Sequence, residues 1–455
     1  MSNKMDRIRK HSRRPAGRWL KQALSLPGAA LAYATGKWQA MSAASSLAAE
    51  AVPLQLSAAG ADRLIAALSK GLAAAGGQPA GPPDWSEADE ALINQIRDET
   101  KTLNRNNVTR TEAYRIVYFR TPELHWSLLA HLVSRNGGWN MTDLQGEWIP
   151  RLLDNNKREA VFQFLERSNA LIFQDVYPQL RLYELSLREG RPLFHLLPAF
   201  GVSSFMKPVW KQFWKERDPI LLTVAIIINE QNYVEQRVVQ NANYQKTVLH
   251  TLFYGLQSLL QLNGVLFPYG QGGELHAGSC DFDEPSAAAA PSLSMLQSPD
   301  NGARLAGLIL ENFDHLEERI EFGKRLYAIL FGIPRIYEGV RCFAAAVKHT
   351  GSRADYAPGL FARVRQKPPE KIYRERLAGG RLKEGAAPIY SPELQSAWPD
   401  QRMEPAEQGD WFHNVDQVKR YFHKLPLPRQ FEITNEYGMM LHKLELAVIT
   451  AQIGK

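Results

Sequence analysis

The sequence predicts a mostly α protein: a multi-helix, bundle-like globular body with a flexible N-terminal head and a low-complexity insertion. Three observations carry this. From residue 85 onward apolar residues recur at helical spacing. Capping and stop signals punctuate those runs. Alternating strand runs, a βαβ rhythm and a repeat of fixed period are all missing. The composition supplies the core. Of 455 residues, 45% are hydrophobic, with ten Trp and sixteen Tyr, which excludes a disordered chain. Two cysteines exclude a disulfide-dense scaffold and a tetrathiolate metal site.

The expected organisation has four parts. Residues 1–84 form a basic, Ala/Gly-rich and largely flexible extension. Residues 85–349 form the main helical domain, with a flexible insertion at 270–301. A Pro/Gly/Arg-rich connector spans 350–402, and 403–455 is a C-terminal helical segment docking on the body. The formal net charge is +7, and residues 1–21 alone sum to +7. The pI near 9.2 therefore reports a basic head on a formally neutral remainder. Such a head is drawn to anionic surfaces. Basic residues followed by 23–34 sketch an export signal, but Pro27-Gly28 interrupts the apolar run. A short amphipathic anchor on Trp19, Leu20, Ala23 and Leu24 is an alternative, and a disordered basic extension is the plainest reading. No run offers the apolar length a membrane span needs.

The elements follow in order. A weak helix is expected over 54–75, then a Gly/Pro linker up to residue 84. Ser86 opens a helix whose face holds Ala91, Leu92, Ile93 and Ile96. Thr109 and Glu112 have capping-box spacing and open a helix through Arg120. Thr121-Pro122 reads as the N-cap and first position of the next helix. Asn136-Gly137-Gly138 reads as its stop. Further helices are expected at 157–173, 176–188, 205–215, 220–239 and 244–262. The longest is expected over 304–331, with Gly307 and Gly323 weakening it. Residues 439–449 form an aliphatic helix that docks back.

The densest chemistry lies in 125–148, HWSLLAHLVSRNGGWNMTDLQGEW. Arg135 follows His131 by one helical turn and can share its face. The turn after it brings Asp143 towards Arg135. A polar pocket would use His131 and Asp143 as catalytic proton carriers. Arg135, Asn136, Asn140 and, from the preceding turn, Arg105 would bind an anionic substrate. The plainer reading is an Arg–Asp pair pinning a turn, with the Trp residues as core. Arg105, Arg110 and Arg115 would have to share an exposed face with Arg135 to bind nucleic acid, which the terminal charge excess disfavours. Glu311, His315 and Glu318 with Glu230 or Glu235 sketch a carboxylate–histidine metal site. The paired Glu-x-x-His signature is missing, so no metal ligand is assigned. Phosphate-cradling, dinucleotide and nucleophile-elbow motifs are also missing, and no cofactor is assigned.

The runs NRNNVTRTEAY and HLVSRNGGWNMTDLQG, with ERIEFGKRLYAILFG later, resemble an uncharacterised bacterial family, the YppC-like proteins of Bacillus and relatives. The resemblance covers about 90–347, apart from the insertion. It implies a Gram-positive bacterial source and supplies no activity, cofactor or catalytic residue. Two functional expectations remain. One is a non-enzymatic helical scaffold or regulatory protein, cytoplasmic or peripheral at the inner membrane face, bound to a protein partner or an anionic membrane surface. The other is a hydrolase or transferase acting on an anionic substrate through the His/Arg/Asp pocket.

Overall fold

In a computed structural model, residues 38, 41–75, 85–253, 264–270, 304–310, 313–402 and 409–453 are described. The basic head and nearly all of the expected insertion lie outside them. The described chain is mostly α, as expected.

Helix α1 (Ala58–Ala75) rests on α6 (Met206–Glu216). Helix α2 (Glu87–Leu103) starts where expected: the Ser86 side chain accepts the Asp89 N–H. Helix α3 spans Asn107–Arg120. Its capping box is one turn earlier than the sequence suggested. Asn106 accepts the Thr109 N–H, and the Thr109 hydroxyl accepts the Asn106 N–H. Glu112 instead pairs with Arg115.

Two expected boundaries of the next helix move. Thr121 is the C-cap of α3, and α4 begins at His125. Asn136-Gly137-Gly138 does not stop it, because α4 runs on to Asp143. The reason is steric. A Cβ on Gly138 would lie 2.4 Å from Asn107 Oδ1 and 2.7 Å from His349 Nε2. This glycine lets other chain segments approach the helix, and its backbone stays helical.

The two helices expected at 157–173 and 176–188 are one, α5 (Asn155–Glu189), with Pro178 inside. An interior proline removes one helical hydrogen bond. The buried series Phe173, Val176, Tyr177 and Leu180 crosses that point unbroken, so packing holds the helix together. Helix α7 (Pro219–Val234) is capped by Asp218, and its Leu221–Ile228 stretch is buried on every side. It is therefore the central helix, packed by α4, α5, α6 and α8 (Leu316–Gly332). Its path continues through a π-helical turn, Glu235–Val239. The helix expected at 244–262 is short and then π-helical to Phe253, and its remainder lies outside the described residues.

The expected helix over 304–331 divides. Its first part is strand β2 (Arg304–Ile309), antiparallel to β1 (Gly264–Gly270). Gly307 has φ +152°, and a Cβ there would lie 1.9 Å from the Val265 carbonyl oxygen. Strand β1 lies on α9 (Pro334–Ala346), where a Cβ on Gly339 would lie 1.6 Å from the Tyr269 carbonyl, and β2 lies against α8. Close backbone packing of this kind has no period-2 signature for the sequence to show.

Residues 349–402 thread back over the helices. Strands β3 (Phe361–Ala362) and β6 (Ile389–Tyr390) pair in parallel, and β4 (Leu377–Ala378) pairs with β5 (Arg381–Leu382). Helix α10 (Thr434–Ile453) contains the expected aliphatic helix. The chain before it adds to β2 through Gly307 N–H to Phe431 O and Ile433 N–H to Leu305 O.

Candidate functional site

Helix α4 presents Arg135, Asn140 and Asp143 to the segment 349–356, whose sequence is HTGSRADY. Nearly all of that segment is buried. It needs an unusual backbone at Gly351 (φ +85°), where a Cβ would lie 2.7 Å from the Leu394 side chain.

The upper half of the seam is built around Asn107. Its amide donates to the Ser134 carbonyl (2.9 Å) and hydroxyl (3.1 Å). Its Oδ1 must therefore accept, and His349 Nε2 donates to it at 2.9 Å. His349 Nδ1 faces Asp355 Oδ2 at 3.5 Å. Asp355 also accepts the Thr350 N–H (2.9 Å), the Thr350 hydroxyl (2.6 Å) and Arg363 Nη2 (3.1 Å). Arg135 is fully buried, its Nη2 3.9 Å from Asp355 and its face 4.4 Å from the Phe343 ring. Burial raises the Asp355 carboxyl, but the His349 ring, the Arg135 charge and the Thr350 hydroxyl outweigh it and hold it well below the usual range. Burial lowers Arg135 to about 10 against the pull of Asp355.

The lower half is built around Arg353. Its Nε donates to Asp143 Oδ2 at 2.7 Å, and Nη1 donates to the hydroxyls of Tyr356 (2.8 Å) and Tyr437 (2.9 Å). Nη2 donates to Asn140 Oδ1 at 3.2 Å. Four partners on two helices and a loop thus fix one planar guanidinium.

The expected site residues are accordingly divided. The expected Arg135–Asp143 pair is not formed: Asp143 pairs with Arg353, and Arg135 faces Asp355. His131 is buried, and its Nδ1 binds the Thr111 carbonyl at 2.8 Å. Burial and the nearby Arg135 charge push it well below the usual histidine range. Asn136 exchanges two hydrogen bonds with the Leu266 backbone, each 2.8 Å, and so anchors β1 to α4. Arg105 is elsewhere: exposed, 3.4 Å from Asp400. Arg110 does not converge on Arg135 either; it is buried against Glu166 at 2.5 Å. The carboxylates of the sketched metal site have other partners. Glu230 accepts from Trp126 Nε1 and Glu235 pairs with Arg319, while Glu311 lies outside the described residues. Asn107, His349, Arg353 and Asp355 were missed. The polar HTGSRADY run was the available signal, and the Pro- and Gly-rich composition around it masked it.

Chemically, the seam can hold charge and bind water. His131, Arg135, Arg353 and Asp355 are each at most 6% exposed. A recess beside Asp143, lined by Gly146, Glu147, Arg353 and Tyr390, admits nothing much larger than a water molecule. Arg135 Nε, Nη1 and Nη2 and His131 Nε2 have no hydrogen-bond partner among the described residues, which suits bridging water. Elsewhere, Glu375, His442 and Glu445 bring one ligand atom each within 4.8 Å of the others. Lys383 already sits 2.6 Å from Glu375, and Glu445 accepts from the Tyr373 hydroxyl and the Arg376 and Leu377 N–H groups.

The chain is 36% identical over 358 residues to the uncharacterized protein YppC of Bacillus subtilis (strain 168), covering 78% of this chain and 93% of the relative. No solved structure matches it. The family described as protein of unknown function (DUF2515) matches residues 102–284 and 287–438, so both halves of the polar seam fall within it, and the chain belongs to that family.

Proposed function

We propose that the protein is a non-enzymatic helical scaffold or regulatory protein, with the 131–143 region acting as an internal clasp. One observation carries this reading. His131 and Arg135 are closed into the interior, and the Arg135–Asp355 and Asp143–Arg353 pairs join α4 to the 349–356 segment. A proton carrier must come within hydrogen-bond reach of its substrate. His131 is committed to a backbone carbonyl, and Asp143 to a buried guanidinium. In this role the clasp fixes the returning chain, and the outer surface does the binding.

The alternative, a hydrolase or transferase acting on an anionic substrate, draws on the unpartnered nitrogens of Arg135. The two readings separate by ligand-induced stabilisation. A site that takes anions stabilises the fold as ligand saturates it. Millimolar inorganic phosphate, sulfate or a nucleoside diphosphate should leave the melting temperature unchanged. A rise in melting temperature that disappears in Arg135→Met would sink the scaffold reading.

A further inference from the structure

We infer that residues 361–384 form a docking strap for an anionic lipid surface. This goes beyond the scaffold reading and holds whether or not the clasp is catalytic. The strap carries eight basic and three acidic residues, net +5. Leaving aside it and the first 21 residues, the remainder of the chain is net −5. Three of the eight bases, Arg363, Arg365 and Arg376, pair with Asp355, Glu393 or Glu147 outside the strap, so the charge it offers a partner rests on the others.

The strap is held at both ends and free between them. At one end Phe361 is buried in the β3–β6 pair, and Arg365 donates to Glu147 at 2.6 Å. At the other, the buried Tyr373 accepts from Trp148 Nε1 at 2.9 Å and donates to Glu445 at 2.7 Å. Residues 366–372 between these anchors are all exposed. Lys367, Lys371, Arg374 and Arg381 are exposed and make no ion pair or side-chain hydrogen bond with described residues. Val364 and Ile372, at the margins of the exposed run, are 76% and 73% exposed. Pro368-Pro369 stiffens the chain between them, which lowers the ordering cost of binding.

This chemistry selects the partner. Unpaired cations around two bare aliphatic side chains match a membrane interface, where charges meet anionic headgroups and aliphatic groups enter the acyl boundary. A single-stranded nucleic acid would call for aromatic platforms on which bases stack, and the exposed apolar residues here are aliphatic. Two weak signals together give stable attachment where one does not. The strap supplies both.

The test is co-sedimentation of the full chain with phosphatidylcholine vesicles, with and without phosphatidylglycerol. Binding is expected only with phosphatidylglycerol, and it should weaken as salt rises. Two variants change exposed side chains and should keep the wild-type melting temperature: Val364→Ser/Ile372→Ser and Lys367→Gln/Lys371→Gln/Arg374→Gln. Each should bind about tenfold or more weakly. Undiminished binding by both would assign the interaction to the N-terminal basic residues and overturn the proposal. No binding by wild type would do the same. So would displacement from vesicles by polyuridylate with the aliphatic pair irrelevant, because that pattern marks a nucleic-acid surface.

Discussion

At the scale of single residues, the clasp turns on two guanidiniums that have left water. Taking one partner from a buried ion pair strands the other charge. Asp143→Ala leaves Arg353 with only neutral acceptors. It should cost about 3 kcal/mol or more in chemical denaturation, far above the ~0.5 kcal/mol typical of surface changes. An unchanged midpoint would show that the pair contributes nothing. Gly138 gives a sharper case. Alanine is the better helix former by about 1 kcal/mol, so propensity alone predicts that Gly138→Ala stabilises α4. Packing predicts the opposite, since the added Cβ would lie 2.4 Å from Asn107 Oδ1 and 2.7 Å from His349 Nε2. We expect destabilisation and a lower melting temperature, because neither neighbour can retreat without breaking its bond to the other.

At the scale of elements, the start of α3 separates two caps that look alike in sequence. Asn106→Ala removes the side chain that accepts the Thr109 N–H and also donates to Asp400. A loss of about 1 kcal/mol or somewhat more is expected. Glu112→Ala removes only a partly exposed pair with Arg115 and should stay within about 0.5 kcal/mol. The reverse ranking in urea denaturation would restore the Thr109–Glu112 box. The same comparison shows what was legible. A strong apolar stripe or a local cap is read from sequence: the start of α2 at Ser86 and both ends of α6 fall within a residue or two of expectation. The division of 304–331 and the fusion across Pro178 were not, because distant packing decides both. Gly307 answers to the Val265 carbonyl on another strand, and the helix around Pro178 is held by the buried residues on either side of it.

At the scale of the whole molecule, stability against pH integrates the buried charges. Asp175 is buried in α5 beside Gln179 and Asn229, and burial pushes its carboxyl up to about 7 from 3.8. A raised folded-state value means that its contribution is full below the unfolded value and is lost as pH rises through the folded one. Burial and the Arg135 charge lower His131 below 6.5, so its contribution is present above that value and is lost as pH falls through the lower folded one. The two windows both lie below neutrality and oppose each other there: as pH rises from about 4 to about 7 Asp175 contributes less while His131 contributes more. Asp175→Asn should gain on wild type as pH rises from about 4 to about 7 and hold a constant difference above that. Parallel melting curves for the two proteins across that range would refute the assignment.

The expected site was legible in part. His131, Arg135, Asn136, Asn140 and Asp143 are indeed concentrated on one helix, and polar residues there are visible in the letters alone. What they face was not, since His349, Arg353 and Asp355 arrive from about 210 residues away, as the Asp143–Arg353 separation shows. The sequence by itself determined the α class, most helix faces and the basic head, because periodicity, caps and composition are local properties. Tertiary structure decided which charges pair, why Gly138 and Gly307 are glycine, and that Lys367, Lys371, Arg374 and Arg381 of the strap make no ion pair among the described residues while Val364 and Ile372 stand bare. Each of these depends on burial and on contacts between distant segments, and a linear sequence does not display either.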